Sequence, residues 1–291
     1  MKFLIVLALA LASASAFDLR PEHIFSRERF MPVIGHEGRI TGGENANISE
    51  VGYQVGLALQ KNWLSSSYWC GGSRIALEWV LTAAHCTEGM NRITVYMGSA
   101  ERNKGNQQII IRHQDCNKNP ENCNVIEHEN WNTSTLKNDI ALIKIEKVPE
   151  SENSWVIQLA QSSKNYDEFK GLNAIASGWG VIGDSKDNPT YLQQAILTVI
   201  PYALCRKTYG TYVTTGNVCT KTLYGTEHRS TCQGDSGGPL VLFADSPKDR
   251  VQIGLTSFGA EVGCEKGHPV AFTRISAFRD WIDKKINASF A

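Results

Sequence analysis

Residues 234–243 read Gly-Asp-Ser-Gly-Gly-Pro-Leu-Val-Leu-Phe, a turn built on glycines that runs straight into an apolar stretch. Glycines on both sides of Ser236 let the backbone turn tightly and aim its amides at one spot. Leu240–Phe243 is then a strand candidate. The same grammar repeats outward from there. From Ile40 onward, short apolar or alternating runs are punctuated by Gly, Asn, Asp and Pro. Tyr53, Val55, Leu57 and Leu59 alternate, as do Ile93, Val95 and Met97. Ile140–Ile145, Leu172–Ala176 and Val251–Phe258 are further strand candidates. Many short strands with turn signals predict an all-β barrel or sandwich. One clear helix stands at the end, where Ile275, Phe278, Trp281, Ile282 and Ile286 share a helical face. No repeat and no linker marks a separate accessory domain.

Composition narrows the function classes. The 291 residues carry 29 Lys+Arg against 29 Asp+Glu and are 42% hydrophobic. Such a chain is globular, with neither the basic footprint of a nucleic-acid binder nor a basic stretch for a membrane surface. An even count of eight Cys suggests an oxidising compartment. The N-terminus agrees: Lys2, the apolar run Phe3–Leu11 and Ala14-Ser15-Ala16 read as a secretory signal peptide, residues 1–16. The run is too short for the alternative, a membrane span. We therefore expect a secreted, extracellular protein. Sequons at Asn47, Asn132 and Asn287 are candidate glycosylation sites that fit that compartment. Residues 17–39 mix charged and apolar residues without a clean period, lack Cys and end at Gly38-Arg39. They read either as a loop or as a pro-segment removed after Arg39.

Two further stretches join the glycine turn: Leu81-Thr82-Ala83-Ala84-His85-Cys86 and Asn138-Asp139-Ile140-Ala141-Leu142. Each alone has a bland reading as a satisfied core residue or a turn cap. Together they supply a nucleophile, a base and an orienting acid. A Ser hydroxyl is a poor nucleophile until a neighbouring base takes its proton. Imidazole is the natural base near neutral pH. A buried carboxylate fixes its tautomer and steadies the imidazolium. Ser236, His85 and Asp139 are the candidates, in an order known for this geometry. The N–H groups of Gly234 and Ser236 are the candidate oxyanion hole.

With those residues in place, the chain from Ile40 to its C-terminus resembles the chymotrypsin/trypsin family of secreted serine endopeptidases. The motifs that carry the likeness are Ala83-Ala84-His85-Cys86, Asp139-Ile140-Ala141-Leu142, Gly178-Trp179-Gly180 and Gly234–Pro239. The resemblance implies two antiparallel β-barrels with the active site in the cleft between them, plus a C-terminal helix, over residues 40–291. It implies a zymogen: a cut after Arg39 by a trypsin-like protease frees Ile40, whose ammonium pairs with Asp235. Ile40-Thr41-Gly42-Gly43 departs from the commoner Ile-Val-Gly-Gly, but Thr41 keeps the β-branch. It also implies bridges Cys70–Cys86, Cys205–Cys219 and Cys232–Cys264, leaving Cys116 with Cys123. A zinc site is the rival reading of the cysteines, and their scattered spacings disfavour it. Only Glu101 stands in the loop matching a trypsin calcium site, so no metal or other cofactor is expected.

The resemblance also locates the specificity pocket. Its base falls on Ser230, where a trypsin-like enzyme carries Asp. Ser257-Phe258-Gly259 matches the strand that holds the substrate backbone, with Phe258 replacing the usual Trp and Gly259 leaving the wall open. Val270 stands where many members have Gly, in a stretch similar to arthropod chymotrypsins and the collagenolytic, brachyurin-like branch. An uncharged, shortened pocket implies cleavage after Phe, Tyr, Leu or Met; an elastase-like taste for small aliphatics is the alternative. The other rivals are a catalytically dead homologue that binds, and a cascade regulator. All three candidate triad residues are present and no Cys-rich module precedes Arg39, which points to a digestive or tissue-degrading enzyme. Expected partners are protein or peptide substrates and protein protease inhibitors, met by a monomer.

Overall fold

The computed structural model describes residues 32–33, 43–62, 64–112, 123–181, 183, 189–222 and 229–288. In chain order the elements are β1 (Pro32–Val33), β2 (Glu44–Asn45), β3 (Gln54–Gln60), β4 (Tyr68–Ala76), β5 (Trp79–Thr82), α1 (Ala84–Thr87), β6 (Arg92–Met97), β7 (Asn106–Ile111), β8 (Val125–Glu127), β9 (Ala141–Lys144) and β10 (Gln158–Leu159). They continue as β11 (Asn173–Gly178), β12 (Gln193–Ile200), α2 (Tyr202–Tyr209), β13 (Asn217–Lys221), β14 (Pro239–Leu242), β15 (Val251–Ala260), β16 (Val270–Arg274) and α3 (Ile275–Ala288).

These strands form two barrel-like sheets. The first has seven strands in the order β7-β6-β3-β4-β5-β9-β8. The second has the order β1-β15-β14-β11-β12-β13-β16, with β2 and β10 at its side, and β16 returns to pair with β15. That last pairing rolls the second sheet towards closure, which removes an exposed edge. Pairing is antiparallel throughout the first sheet. The expected all-β class with a C-terminal helix is therefore what the chain adopts.

Alternation in the sequence becomes burial in the sheet. Val55, Leu57 and Leu59 on β3 and Ile93, Val95 and Met97 on β6 all point into the interior of the first sheet. Leu57 faces Cys70 on one side and Val95 on the other. A second cluster joins the two sheets: Trp79, Leu81, Ile140 and Leu142 of the first pack with Leu240, Leu255 and Phe272 of the second. Side chains this buried each contribute roughly 1.5–3 kcal/mol. Helix α3 lays Ile275, Phe278 and Ile282 on that shared core, as its 3.6 period requires. Two helices were not evident in the sequence pattern. One is the single turn α1; the other is α2, which buries only Cys205 and Tyr209 and is too short to show a stripe. Among the described residues, no helix is long and apolar enough to cross a membrane.

Candidate active site

Strand β5 delivers the chain to α1, and His85 sits in that turn, 5% exposed. The turn is held from three sides. The Cys70–Cys86 disulfide pins it to β4. Thr87 Oγ1 donates to Glu127 Oε1 (2.8 Å), and Arg112 reaches the same oxygen at 2.6 Å. From the other direction Asp139 arrives just before β9, itself 1% exposed. Its Oδ1 accepts the backbone N–H of His85 (2.9 Å), and its Oδ2 lies 2.7 Å from His85 Nδ1. Two contacts from one carboxylate fix both the backbone and the ring. A carboxylate only accepts, so Nδ1 is the protonated nitrogen and Nε2 carries the free lone pair. Nε2 stands 3.8 Å from Cys86 Sγ.

Two more hydroxyls hold Asp139. Ser257 Oγ donates to Oδ2 at 2.6 Å, and Thr273 Oγ1 donates to the Asp139 backbone oxygen at 2.7 Å. Both come from the second sheet, on β15 and β16, so the aspartate is gripped across the cleft. Sequence reading gave Ser257 only a substrate-backbone role and did not single out Thr273. No linear spacing links either to Asp139.

Ser236 lies in the glycine turn ahead of β14 and is 4% exposed. Gly234 and Gly237 have φ of 88° and 74°, the left-handed region that favours glycine. At Gly237 space also decides: a Cβ there would stand 2.1 Å from Thr82 Oγ1 and 3.0 Å from the Ala83 nitrogen. The turn is thus pressed against the end of β5, directly before His85. Gly71 N–H donates to the Ser236 oxygen (2.8 Å), and Gly237 N–H to the Thr256 oxygen (2.8 Å), so one turn is sewn to both sheets.

Asp235 is fully buried. Its Oδ1 accepts from Gly180 N–H (2.9 Å) and its Oδ2 from Cys232 N–H (3.0 Å). A Cβ on Gly178 would lie 2.1 Å from that Oδ1, which explains the glycine in Gly178-Trp179-Gly180. Ile40 lies outside the described residues, and so does Cys116 with its expected bridge to Cys123. The other three expected bridges, Cys70–Cys86, Cys205–Cys219 and Cys232–Cys264, are present.

Beside Ser236 opens a cavity of about 530 Å³. It is lined by every residue expected of the specificity pocket: Ser230, Ser257, Phe258, Gly259 and Val270. Ser230 Oγ donates to the Thr231 oxygen (2.9 Å), so its proton is committed to the backbone. A Cβ on Gly259 would meet nothing within 4 Å, so that wall is open. Phe258, in place of the usual Trp, presents little surface to the cavity. It is 2% exposed and packs edge-on against Tyr209 of α2, centroids 5.4 Å apart. Tyr209 in turn hydrogen-bonds the Pro269 oxygen, and burial pushes its pKa up. This brace behind the pocket was missed; its one signal is Tyr209 standing four residues after Cys205 on a helix. His268 also lines the cavity, its pKa lowered by burial and by the Lys221 charge. Glu261 lines it too but is exposed.

Among the described residues, the one cluster of metal-ligand type is Cys70, His85 and Cys86. Its two sulfurs are joined as the disulfide and offer no thiolate. What remains is a hydroxyl, a carboxylate-oriented imidazole and a cavity of mixed polar and apolar lining, the parts needed to attack and hold an acyl group.

Comparison with known proteins agrees with this geometry. Residues 40–282 match the family described as trypsin. A collagenase from Hypoderma lineatum is 37% identical over the whole of both chains. A brachyurin from Leptuca pugilator is 35% identical over 84% of this chain and 96% of its own. A solved collagenase structure superposes with a TM-score of 0.71 at 33% identity, covering 85% of this chain and 99% of that one.

Proposed function

The chain belongs to the trypsin family and is a serine endopeptidase, and from that premise we propose that Ser236, His85 and Asp139 carry the reaction. Ser236 Oγ attacks the peptide carbonyl while His85 Nε2 takes its proton. The N–H groups of Gly234 and Ser236 receive the oxyanion. His85 then protonates the leaving amine, an acyl-enzyme forms, and water releases it by the same path reversed. The observation that carries this reading is the carboxylate of Asp139, which fixes His85 through its ring and its backbone at once. Replacing Ser236 or His85 by Ala tests it, each expected to cost on the order of 10⁶ in kcat.

Three finer points belong to the same proposal. The chain is made as a secreted zymogen with a signal peptide (1–16), a pro-segment (17–39) and a protease domain (40–291). A trypsin-like enzyme cuts after Arg39, and the new Ile40 ammonium pairs with Asp235. The family match beginning at residue 40 supports that boundary, as does a buried carboxylate beside the oxyanion turn. Substrates are proteins cut after Phe, Tyr, Leu or Met. The uncharged Ser230 and the buried Val270 support this, because an unpaired cation in such a cavity costs several kcal/mol. Glycosylation at Asn47, Asn132 and Asn287 is supported by their exposure.

A further inference from the structure

Leu is among the side chains proposed for the pocket beside Ser236, and the chain presents one leucine to solvent almost whole. Leu64 is 99% exposed, near the tip of the hairpin that joins β3 to β4. The tip reads Lys61-Asn62-Trp63-Leu64-Ser65-Ser66-Ser67, mostly small or polar residues. Exposed loop tips of this composition are where folded chains are preferentially nicked. Other large apolar side chains at the surface are less available. Leu172, Tyr191 and Phe243 are about half exposed, and each has its backbone paired to a neighbouring segment. The tip at Leu64 is held only by itself. The Asn62 oxygen accepts from Ser65 N–H (3.2 Å) and Ser65 Oγ (2.9 Å), and Asn62 Oδ1 accepts from Leu64 N–H (3.0 Å). Among the described residues, the hydrogen bonds of residues 62, 64 and 65 stay within residues 60–65. Bonds of this kind are worth about 1 kcal/mol each, so the tip opens without disturbing the sheet behind it.

We propose that the activated enzyme has a further substrate, a second copy of itself, cut between Leu64 and Ser65. This rests on the reading that Ser236 is the nucleophile and that its pocket takes Leu. Ser236 Oγ of one copy attacks the Leu64 carbonyl of another. The Leu64–Ser65 amide breaks, and the proton taken from Ser236 passes through His85 to the Ser65 nitrogen. Water then cleaves the ester, leaving a carboxylate on Leu64 and restoring Ser236. Lys61, in the same tip, is spared because Ser230 at the pocket base gives its charge no partner. With both stems paired up to Leu59 and Tyr68, the tip is tied too short to lie extended in its own cleft, so the cut is made between copies. The product is a two-chain enzyme. Residues 40–64 contain no Cys, so no disulfide joins them to the rest. What holds them is β3, paired with β4 and β6, with Val55, Leu57 and Leu59 buried between. The cut form therefore stays assembled while folded and separates into two pieces on unfolding, which limits the life of the enzyme at high concentration.

The test incubates the activated enzyme, freed of trypsin, with a correctly processed Ser236→Ala chain that cannot cut itself. On a denaturing gel without reductant the Ser236→Ala chain should lose a short piece. The new N-terminus of the larger piece should read Ser-Ser-Ser-Tyr. The rate should rise in proportion to the active enzyme added. Leu64→Asp in the Ser236→Ala chain should slow the cut by about 100-fold or more, because an unpaired charge resists burial in the pocket. Leu64 is almost wholly in solvent, so this substitution does not put folding at risk. In the active enzyme, Leu64→Asp should hydrolyse a small Leu amide at the wild-type rate and stay single-chain for longer. An intact Leu64–Ser65 bond, a cut after Lys61 in its place, or equal cutting of the Leu64→Asp chain would overturn the proposal. The small Leu amide is the separate check on the pocket. An enzyme that hydrolyses it yet spares Leu64 refutes self-cleavage alone; one that leaves it intact refutes the pocket reading, and self-cleavage with it.

Discussion

Ser257 Oγ donates to the same Asp139 oxygen that holds the His85 ring, which makes it a candidate positioning residue for the proposed triad. A hydrogen bond to a charged group is worth about 1.5–3 kcal/mol. Ser257→Ala should therefore lower kcat about 10–100-fold with little change in KM, and Ser257→Thr, which keeps the hydroxyl, should recover much of it. A rise in KM alone would assign Ser257 to substrate binding instead. Val270 makes a second prediction at this scale. It lines the cavity, and Val270→Gly should raise kcat/KM for Trp and Tyr substrates more than for Leu, without creating Arg cleavage, because Ser230 stays uncharged. The comparison is matched amide substrates differing only in the residue before the cut bond. Methylene-sized differences are worth about 1–3 kcal/mol, so the expected change is roughly 10–200-fold at most. The residues that line the cavity with Ser236 were named in the sequence by resemblance. The Ser257 and Thr273 grip on Asp139 was not, because it joins residues far apart in the chain through a register that only the folded sheets define.

At the scale of elements, the strands showed in the sequence because half-buried strands must alternate, and α3 because a surface helix must carry a stripe. Helix α2 has neither length nor stripe, and α1 is one turn. The docking of α3 has its own chemistry. His128 stacks on Trp281, centroids 5.2 Å apart, and meets Phe278 edge-on. Next to it Glu129 pairs with Lys285 and accepts from the Trp281 indole (2.9 Å). Burial alone would raise the Glu129 pKa. The hydrogen bonds from Lys285, its own backbone and Trp281, with the Lys285 charge, outweigh it and bring it from 4.5 to about 2. A carboxylate with a depressed folded pKa stabilises fully above its ordinary value, and the contribution is lost as pH falls from about 4.5 towards 2. His128 is lowered from 6.5, first by burial, so protonation favours the unfolded chain as pH drops below that value. Melting curves of wild type and Glu129→Gln should differ at pH 7 and converge near pH 2; a gap independent of pH would contradict the assignment. Glu129 is substantially exposed, so the gap should be small.

The whole molecule is two sheets closed on a shared core, with the glycine turn sewn to both. Gly237→Ala should therefore disturb both sheets at once, since it meets a positive φ and a 2.1 Å approach to Thr82. We expect a fall in melting temperature and an inactive protein, whereas Ala at Gly259, where nothing stands nearby, should leave stability unchanged. Activation belongs to this scale too. N-terminal sequencing of the active form should read Ile-Thr-Gly-Gly, and Arg39→Gln should resist activation by trypsin. The central claim is that Ser236, raised to nucleophile by His85 and Asp139, attacks the substrate. Its most direct test is to react the activated enzyme with an organophosphorus fluoride, then count and map the adduct. The account predicts one equivalent on Ser236, with stoichiometric loss of peptidase activity, and no labelling in the His85→Ala protein on the same timescale. Adduct on another residue, or undiminished turnover by correctly processed Ser236→Ala protein, would contradict it.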